Sequence, residues 1–275
     1  MSAIISTISL AVSENRSRPI ARTRRDDIRA FPSALTSEWI KLTSLRANRA
    51  ILGLGAVVAM LVAWALAMSS TDPADTASEL FIFPLPLIAT LAIVTGILMF
   101  SGEAQHGTLA VTLTARPTRW VIMAAKATMA IIAGLALGVT AMLAGFGGAV
   151  LGGADHGDAS AMVARSLWAL LYIAVAAVIG LGVGMIVRHS AAAISGLLMW
   201  SFVIENLFAP ALPDGIVHFL PFSAGYRLLD AGPNFEAPVS IAHELARSQY
   251  ALIFGGYGLA LLAIGTILLY RRDTN

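Results

Sequence analysis

Cysteine is absent from this 275-residue chain, lysine occurs only at positions 41 and 126, and charged residues of both signs make up just 12% of it. Each scarcity excludes a class of chemistry. Without cysteine there is no disulfide, no thiolate metal site and no cysteine nucleophile. A phosphate-binding loop of the Walker type needs Gly-Lys-Ser/Thr. The two lysines follow Ile40 and Ala125, so ATP hydrolysis has no home in this sequence. A soluble domain carries about 25% charged residues. Half that share, beside 57% hydrophobic residues and a mean hydropathy of +0.79, places the chain in a bilayer. Nucleic acid is a poor partner, because no polar domain interleaves basic residues with exposed aromatics.

Histidine and acidic residues are equally unpromising as catalysts. His243-Glu244 begins the pattern of a zinc-binding helix, but Arg247 stands where the second histidine belongs. His106, His156, His189 and His218 fall in separate loops, so no metal is expected. The apolar runs hold no Asp and no His, which removes the constellations of an intramembrane hydrolase. The chain reads as a non-enzyme.

Six apolar runs are present, at about 50–68, 80–100, 121–150, 166–187, 190–208 and 249–270. Each reaches the roughly 20 residues that a helix needs to cross a hydrocarbon core. The expected fold is therefore an all-α membrane protein with six transmembrane helices. The third run is long for one crossing and should tilt or extend beyond the bilayer. Pro84 and Pro86 predict a kink near the start of the second. Basic residues choose the orientation. With the amino terminus inside, 15 of the 18 Lys and Arg face the cytoplasm, leaving Arg165, Arg227 and Arg247 outside. Both termini are then cytoplasmic.

Three stretches flank or interrupt these runs. Residues 1–32 are rich in arginine and read as a disordered cytoplasmic tail. Residues 33–49 place Leu35, Trp39, Leu42 and Leu45 on one helical face and Ser37, Lys41, Ser44 and Asn48 on another. That pattern predicts an amphipathic helix lying on membrane lipid, anchored by Trp39, Lys41, Arg46 and Arg49. Residues 101–120 form a polar segment between the second and third runs. Ser101 could cap a short helix there with Glu103 in its first turn. Leu109 and Leu113 share a face, Pro117 ends the run, and Arg119 and Trp120 anchor the next span. The loop 209–248 contains Ile216-Val-His-Phe-Leu-Pro-Phe222, which suggests a re-entrant or surface-lying pair of short helices.

Glu205 is the single carboxylate inside an expected span and marks either a substrate path or a solvated outer end. Gly134-x-x-x-Gly138 and Gly180-x-x-x-Gly184 permit close approach of helices.

Two stretches carry a resemblance. Ser37-Glu-Trp-Ile-Lys-Leu-Thr-Ser-Leu-Arg46 resembles the connecting helix of ABC-2-type permeases, the membrane subunits of bacterial ABC transporters. Glu103-Ala-Gln-His-Gly-Thr-Leu109, with Pro117 and Lys126 after it, resembles their coupling segment; Ala104 departs from its usual aromatic or basic residue. The resemblance implies a 50–272 permease domain in the bacterial plasma membrane, paired with a second permease copy or a related permease. It implies separate ATP-binding subunits that carry the ATP and Mg, and export of a drug-, peptide- or lipid-like substrate. It also implies a cytoplasmic coupling helix at about 102–115. Glu103, His106, Gly107, Thr108, Leu109 and Arg116 would then meet the ATPase. The alternative is an ion- or proton-coupled secondary transporter, which should carry several buried ionisable groups near the midplane.

Overall fold

A computed structural model of the chain describes residues 24–70, 72, 75–107, 119–229 and 245–272. These residues are all-helical where regular, with no strand among them. In chain order the helices are α1 (Arg24–Ser44), α2 (Arg46–Ser69), α3 (Ala77–Leu80), α4 (Leu85–Gln105), α5 (Arg119–Leu151), α6 (Ala159–Val187) and α7 (Ser190–Leu198). A π-helical turn (Met199–Ile204) then leads to α8 (Glu205–Phe208), α9 (Asp214–Val217), α10 (Pro221–Tyr226) and α11 (Arg247–Arg272).

Six segments are long and apolar enough to cross a membrane: Arg46–Ser69, Ala77–Gln105, Trp120–Leu151, Ala159–Val187, Ser190–Ala211 and Arg247–Arg271. The chain is a multi-pass membrane protein. The expected runs match these segments, each helix extending a few residues further into its polar flanks. At 33 residues, α5 is about 50 Å long. That exceeds a hydrocarbon layer of about 30 Å, so α5 projects beyond the apolar zone.

The second and fourth spans form the centre. Two-thirds of each apolar window is buried (67%), against 17% for the first and fifth spans and 22% for the sixth. Those three turn most of their surface outward. The most extensive contact joins α4 to α6, and glycine permits it. A Cβ on Gly96 would overlap the Ala177 carbonyl, and one on Gly180 would overlap the Ile93 carbonyl. Hence the helices meet backbone to backbone, where small residues bring the chains close. Gly184 continues the seam against Ile97, and Gly134 faces Ile173 and Ala174 across the α5–α6 contact. On the other side of α5, Gly148 admits the Met60 carbonyl of α2.

The second span is interrupted near its start, where Pro84 and Pro86 predict a kink: a turn at 81–84 separates the short α3 from α4 within Ala77–Gln105. Pro84 ends that turn as the cap of α4, and Pro86 lies in its first turn, where a missing N–H costs nothing. Two local expectations are revised. The amino-terminal helix begins at Arg24 rather than near residue 33, so residues 24–32 belong to α1 and not to a disordered tail. Finally, Ser101 does not start a helix. It lies within the last turns of α4 and donates its hydroxyl back to the Ile97 carbonyl at 2.7 Å.

α1 gives way to α2 at Leu45, which takes an extended backbone conformation. The Asn48 amide reaches back to the Leu42 carbonyl at 2.9 Å and closes the bend. At the far end of the bundle, Asp158 caps α6 through the Ser160 N–H at 2.9 Å. Arg165 there binds Glu79 at 3.3 Å and the Ser78 carbonyl at 3.1 Å. α10 lies against α11, and its approach is fixed by Tyr257 donating to the Phe219 carbonyl at 2.8 Å.

Candidate functional site

Both lysines of the chain come together at one place. α1 presents Glu38 and Lys41 one turn apart, the last turn of α4 presents Glu103, and the first turns of α5 present Lys126. The Lys126 ammonium donates to Glu38 Oε2 at 2.9 Å, Glu103 Oε1 at 2.8 Å and the Met99 carbonyl at 3.1 Å. An ammonium has three N–H donors, so Lys126 is fully engaged. Lys41 donates to Glu38 Oε1 at 2.7 Å and to Glu103 Oε1 at 2.8 Å. Among the described residues, two cations and two anions join in one network whose charges match.

Burial makes this arrangement consequential. The Lys126 side chain is completely buried, and the Glu38 and Glu103 side chains are 6% and 15% exposed. An isolated charge at such a place would cost several kcal/mol even after relaxation. Helix geometry adds a constraint, because a carboxylate in the last turn of α4 faces the negative end of that helix's dipole. The two ammonium groups offset this for Glu103, and Lys126 also donates to the Met99 carbonyl one turn earlier in α4. Lys41, 38% exposed, loses some charge stability by burial. Its hydrogen bonds to Glu103 and Glu38 outweigh that loss and hold its pKa above the usual 10.5.

Apolar contacts support the ion set. Ala34 of α1 packs with Val121 and Ala125 of α5, with Phe31 and Leu35 beside them. α1 therefore lies along the start of α5, which places Glu38 against Lys126. Beside the cluster, a groove of about 510 Å³ runs between the α1–α2 bend and the end of α4, lined in part by Lys41, Asn48, Met99, Glu103 and His106. α1, the end of α4 and the start of α5 cannot separate without leaving buried charges apart. The ion set ties the three elements together.

The residues expected at an ATPase interface divide into three groups. Glu103 faces inward into the ion set. His106 and Gly107 are exposed beyond the end of α4, with His106 Nδ1 at 2.7 Å from the Gly102 carbonyl and Gly107 in a left-handed turn at φ 73°. Thr108, Leu109 and Arg116 lie outside the described residues, as does most of the helix expected at about 102–115. Among the expected anchors, Trp39, Arg46, Arg49 and Trp120 are exposed. Lys41 differs, being tied to Glu38 and Glu103, and Arg119 opens α5. Gln105 joins this end to the fifth span by accepting from Ser190 at 2.9 Å.

Glu205 occupies a separate place at the far end. It is 3% exposed, so it is not a solvated carboxylate. Oε1 accepts from Trp200 Nε1 at 3.1 Å and from the Phe222 N–H at 3.0 Å. Oε2 accepts from the Ser223 N–H at 2.7 Å and its hydroxyl at 3.0 Å. Two of these donors are first-turn amides of α10, which have no partner within their own helix. The carboxylate thus ties the fifth span to α10. The π-helical turn before it shifts the helix register, so Trp200 and Glu205, five apart, bond through both backbone and side chain.

Sequence reasoning missed Glu38 and Lys126 as partners because they are 88 residues apart. One signal was available: a chain with two lysines that places one of them inside an apolar run must neutralise it. Among the described residues no three of His, Asp and Glu converge as metal ligands. Comparison with protein-family models and with curated proteins gives no match to this chain.

Proposed function

We propose that this chain is the membrane-spanning subunit of an ATP-driven transporter of the ABC-2 type, moved by a separate ATP-binding subunit. The observation that carries the reading is the buried Glu38–Lys41–Glu103–Lys126 set. It clamps an amino-terminal helix to the ends of two spans, beside the polar segment that joins them. A body of that kind can receive a push on one exposed segment and pass it to both spans as a rigid displacement. The sequence has no nucleotide-binding loop, so the energy comes from a partner holding ATP and Mg.

The distribution of basic residues supports a cytoplasmic location for this end and for both termini. α1 then lies at the inner membrane surface with Trp39 toward lipid, and His106, Gly107 and the segment after them meet the ATPase. A second copy or a related permease completes the pathway along the outward-turned first, fifth and sixth spans. The exported substrate is drug-, peptide- or lipid-like.

The absence of cysteine makes the test direct. Gly107→Cys creates a single thiol, which a membrane-impermeant maleimide should label in inverted vesicles and not in intact cells. The tagged chain purified from its native membrane should carry a Walker-bearing protein and hydrolyse Mg-ATP. Labelling from outside the cell alone, or a purified chain without ATPase activity, overturns the reading.

A further inference from the structure

Glu205 borders a cavity of about 180 Å³ at the far end of the bundle. The walls come from α4, from Tyr172 of α6, from Phe202, Glu205 and Asn206 of the fifth span, and from Phe222 and Tyr226 of α10. Four of these side chains are aromatic and one is a carboxylate. Pro86 and Thr90 are half-buried while Phe202 and Asn206 are exposed, so the mouth opens sideways between the second and fifth spans.

Two groups here bear on what the cavity can hold. Glu205 is a buried carboxylate whose four contacts are all neutral donors. Among the described residues no Lys, Arg or His forms an ion pair with it. This contrasts with Glu38 and Glu103, each of which has two lysines. Tyr172 is only 5% exposed and lines the cavity. Its hydroxyl is not sealed away as an unbonded polar atom, so it is open to a partner in that space.

We propose that this cavity binds an alkylammonium group. Aromatic faces attract a cation through their quadrupoles, the more strongly when water is excluded. Glu205 supplies the negative potential, and Tyr172 offers a hydrogen bond to a hydroxyl or ester oxygen near the ammonium. The volume falls below the roughly 300 Å³ at which drug-sized pockets begin, so the cavity takes a headgroup or a small amine and leaves the remainder in the lateral opening. An aminolipid headgroup and a free organic amine share this chemistry. The inference concerns binding and stands whether or not an ATPase drives the chain.

The test uses the full chain in phosphatidylglycerol nanodiscs, titrated calorimetrically with choline and with its neutral isostere 3,3-dimethylbutan-1-ol. Choline should bind at least about tenfold more tightly, or about 1.4 kcal/mol, which lies within the strength of a desolvated cation–π contact. Glu205→Gln should erase that preference. Because that substitution also disturbs the α10 amides, Phe202→Leu at the exposed rim provides a second variant, which should weaken choline and leave the isostere unchanged. Discs of phosphatidylcholine should lower the apparent choline affinity if the lipid headgroup is the occupant, and leave it unchanged if a free amine is. Equal binding of choline and isostere, or no choline binding in phosphatidylglycerol discs, overturns the proposal.

Discussion

Replacing Lys126 by methionine tests whether the ion set is the clamp that holds α1. Methionine approximates the length of the lysine stem and removes the ammonium. Among the lysines, Glu38 and Glu103 would then share Lys41, which is 38% exposed. Breaking a buried pair by deleting one partner costs about 3–5 kcal/mol. Lys41 still offsets part of the excess charge and Glu103 retains some solvent contact, so the lower end, about 3 kcal/mol, applies to undocking of α1. At 1.4 kcal/mol per factor of ten, the undocked population should rise roughly a hundredfold. Deleting Lys41 should have a smaller effect, about 1 kcal/mol, because solvent screens it.

The readout again exploits the cysteine-free background. Ala34 is 5% exposed at the α1–α5 contact, so Ala34→Cys should react with a maleimide only when α1 lifts. Thr36→Cys on the exposed side of the same helix sets the unhindered rate. Lys126→Met should accelerate Ala34→Cys labelling up to about a hundredfold, limited by the Thr36→Cys ceiling. Adding Glu38→Met should return it most of the way, because removing one acid with one base leaves the Lys41–Glu103 pair intact. Identical labelling in the parent and Lys126→Met, with the fold preserved, would show that apolar packing holds α1 and that the charges are incidental.

Two further outcomes follow from the same structure. Gly96→Ala should destabilise the bundle by about 3 kcal/mol, because its Cβ meets the Ala177 backbone rather than a yielding side chain. Gly147→Ala in α5, with open space around it, should be neutral or stabilising by up to about 1 kcal/mol; equal unfolding curves for the two variants would refute the close α4–α6 seam. The second outcome concerns pH. Lys41 has a raised pKa in the folded chain, so its contribution to docking is complete below 10.5 and disappears as pH climbs through the higher folded value. Ala34→Cys labelling, normalised to Thr36→Cys, should therefore stay flat from neutral pH until above 10.5, and a rise between pH 6 and 9 would remove Lys41 from the clamp.

Hydropathy made the six spans legible because crossing a bilayer is a one-dimensional requirement on length and polarity, and each segment meets it locally. Helix ends were less legible. Ser101 and Glu103 satisfy the local rules for a helix start, yet α4 continues to Gln105. A serine can instead bond its own helix four residues back, and an acid can sit at the wrong end of a dipole when two lysines face it. The glycine patterns at 134–138 and 180–184 pointed to the α6 seams, but Gly96 belongs to no such pattern. Its role depends on Ala177, 81 residues along the chain and legible only in three dimensions. Glu205 was recognisable as costly where it stands. Its donors come from an α10 whose position no local pattern specifies.

The two ends of the molecule treat buried carboxylates in opposite ways, and the difference bears on what each end can do. At the α1 end, Glu38 and Glu103 are each paired with both Lys41 and Lys126, so among the described residues these carboxylates are matched by cations of the chain itself. Moving any one of the four separates opposite charges in a medium of low dielectric, where the attraction is strong. That end suits the transfer of force. At the α10 end, Glu205 is satisfied as a hydrogen-bond acceptor, and among the described residues no cation pairs with it. Neutral donors stabilise a carboxylate without cancelling its field, so a negative potential persists among aromatic walls that could accept a cation. If one chain both receives a mechanical input and recognises a molecule, these are the terms on which the two tasks separate. The balanced cluster can shift as a unit with its charges still paired, while the unbalanced one keeps an attraction for something from outside.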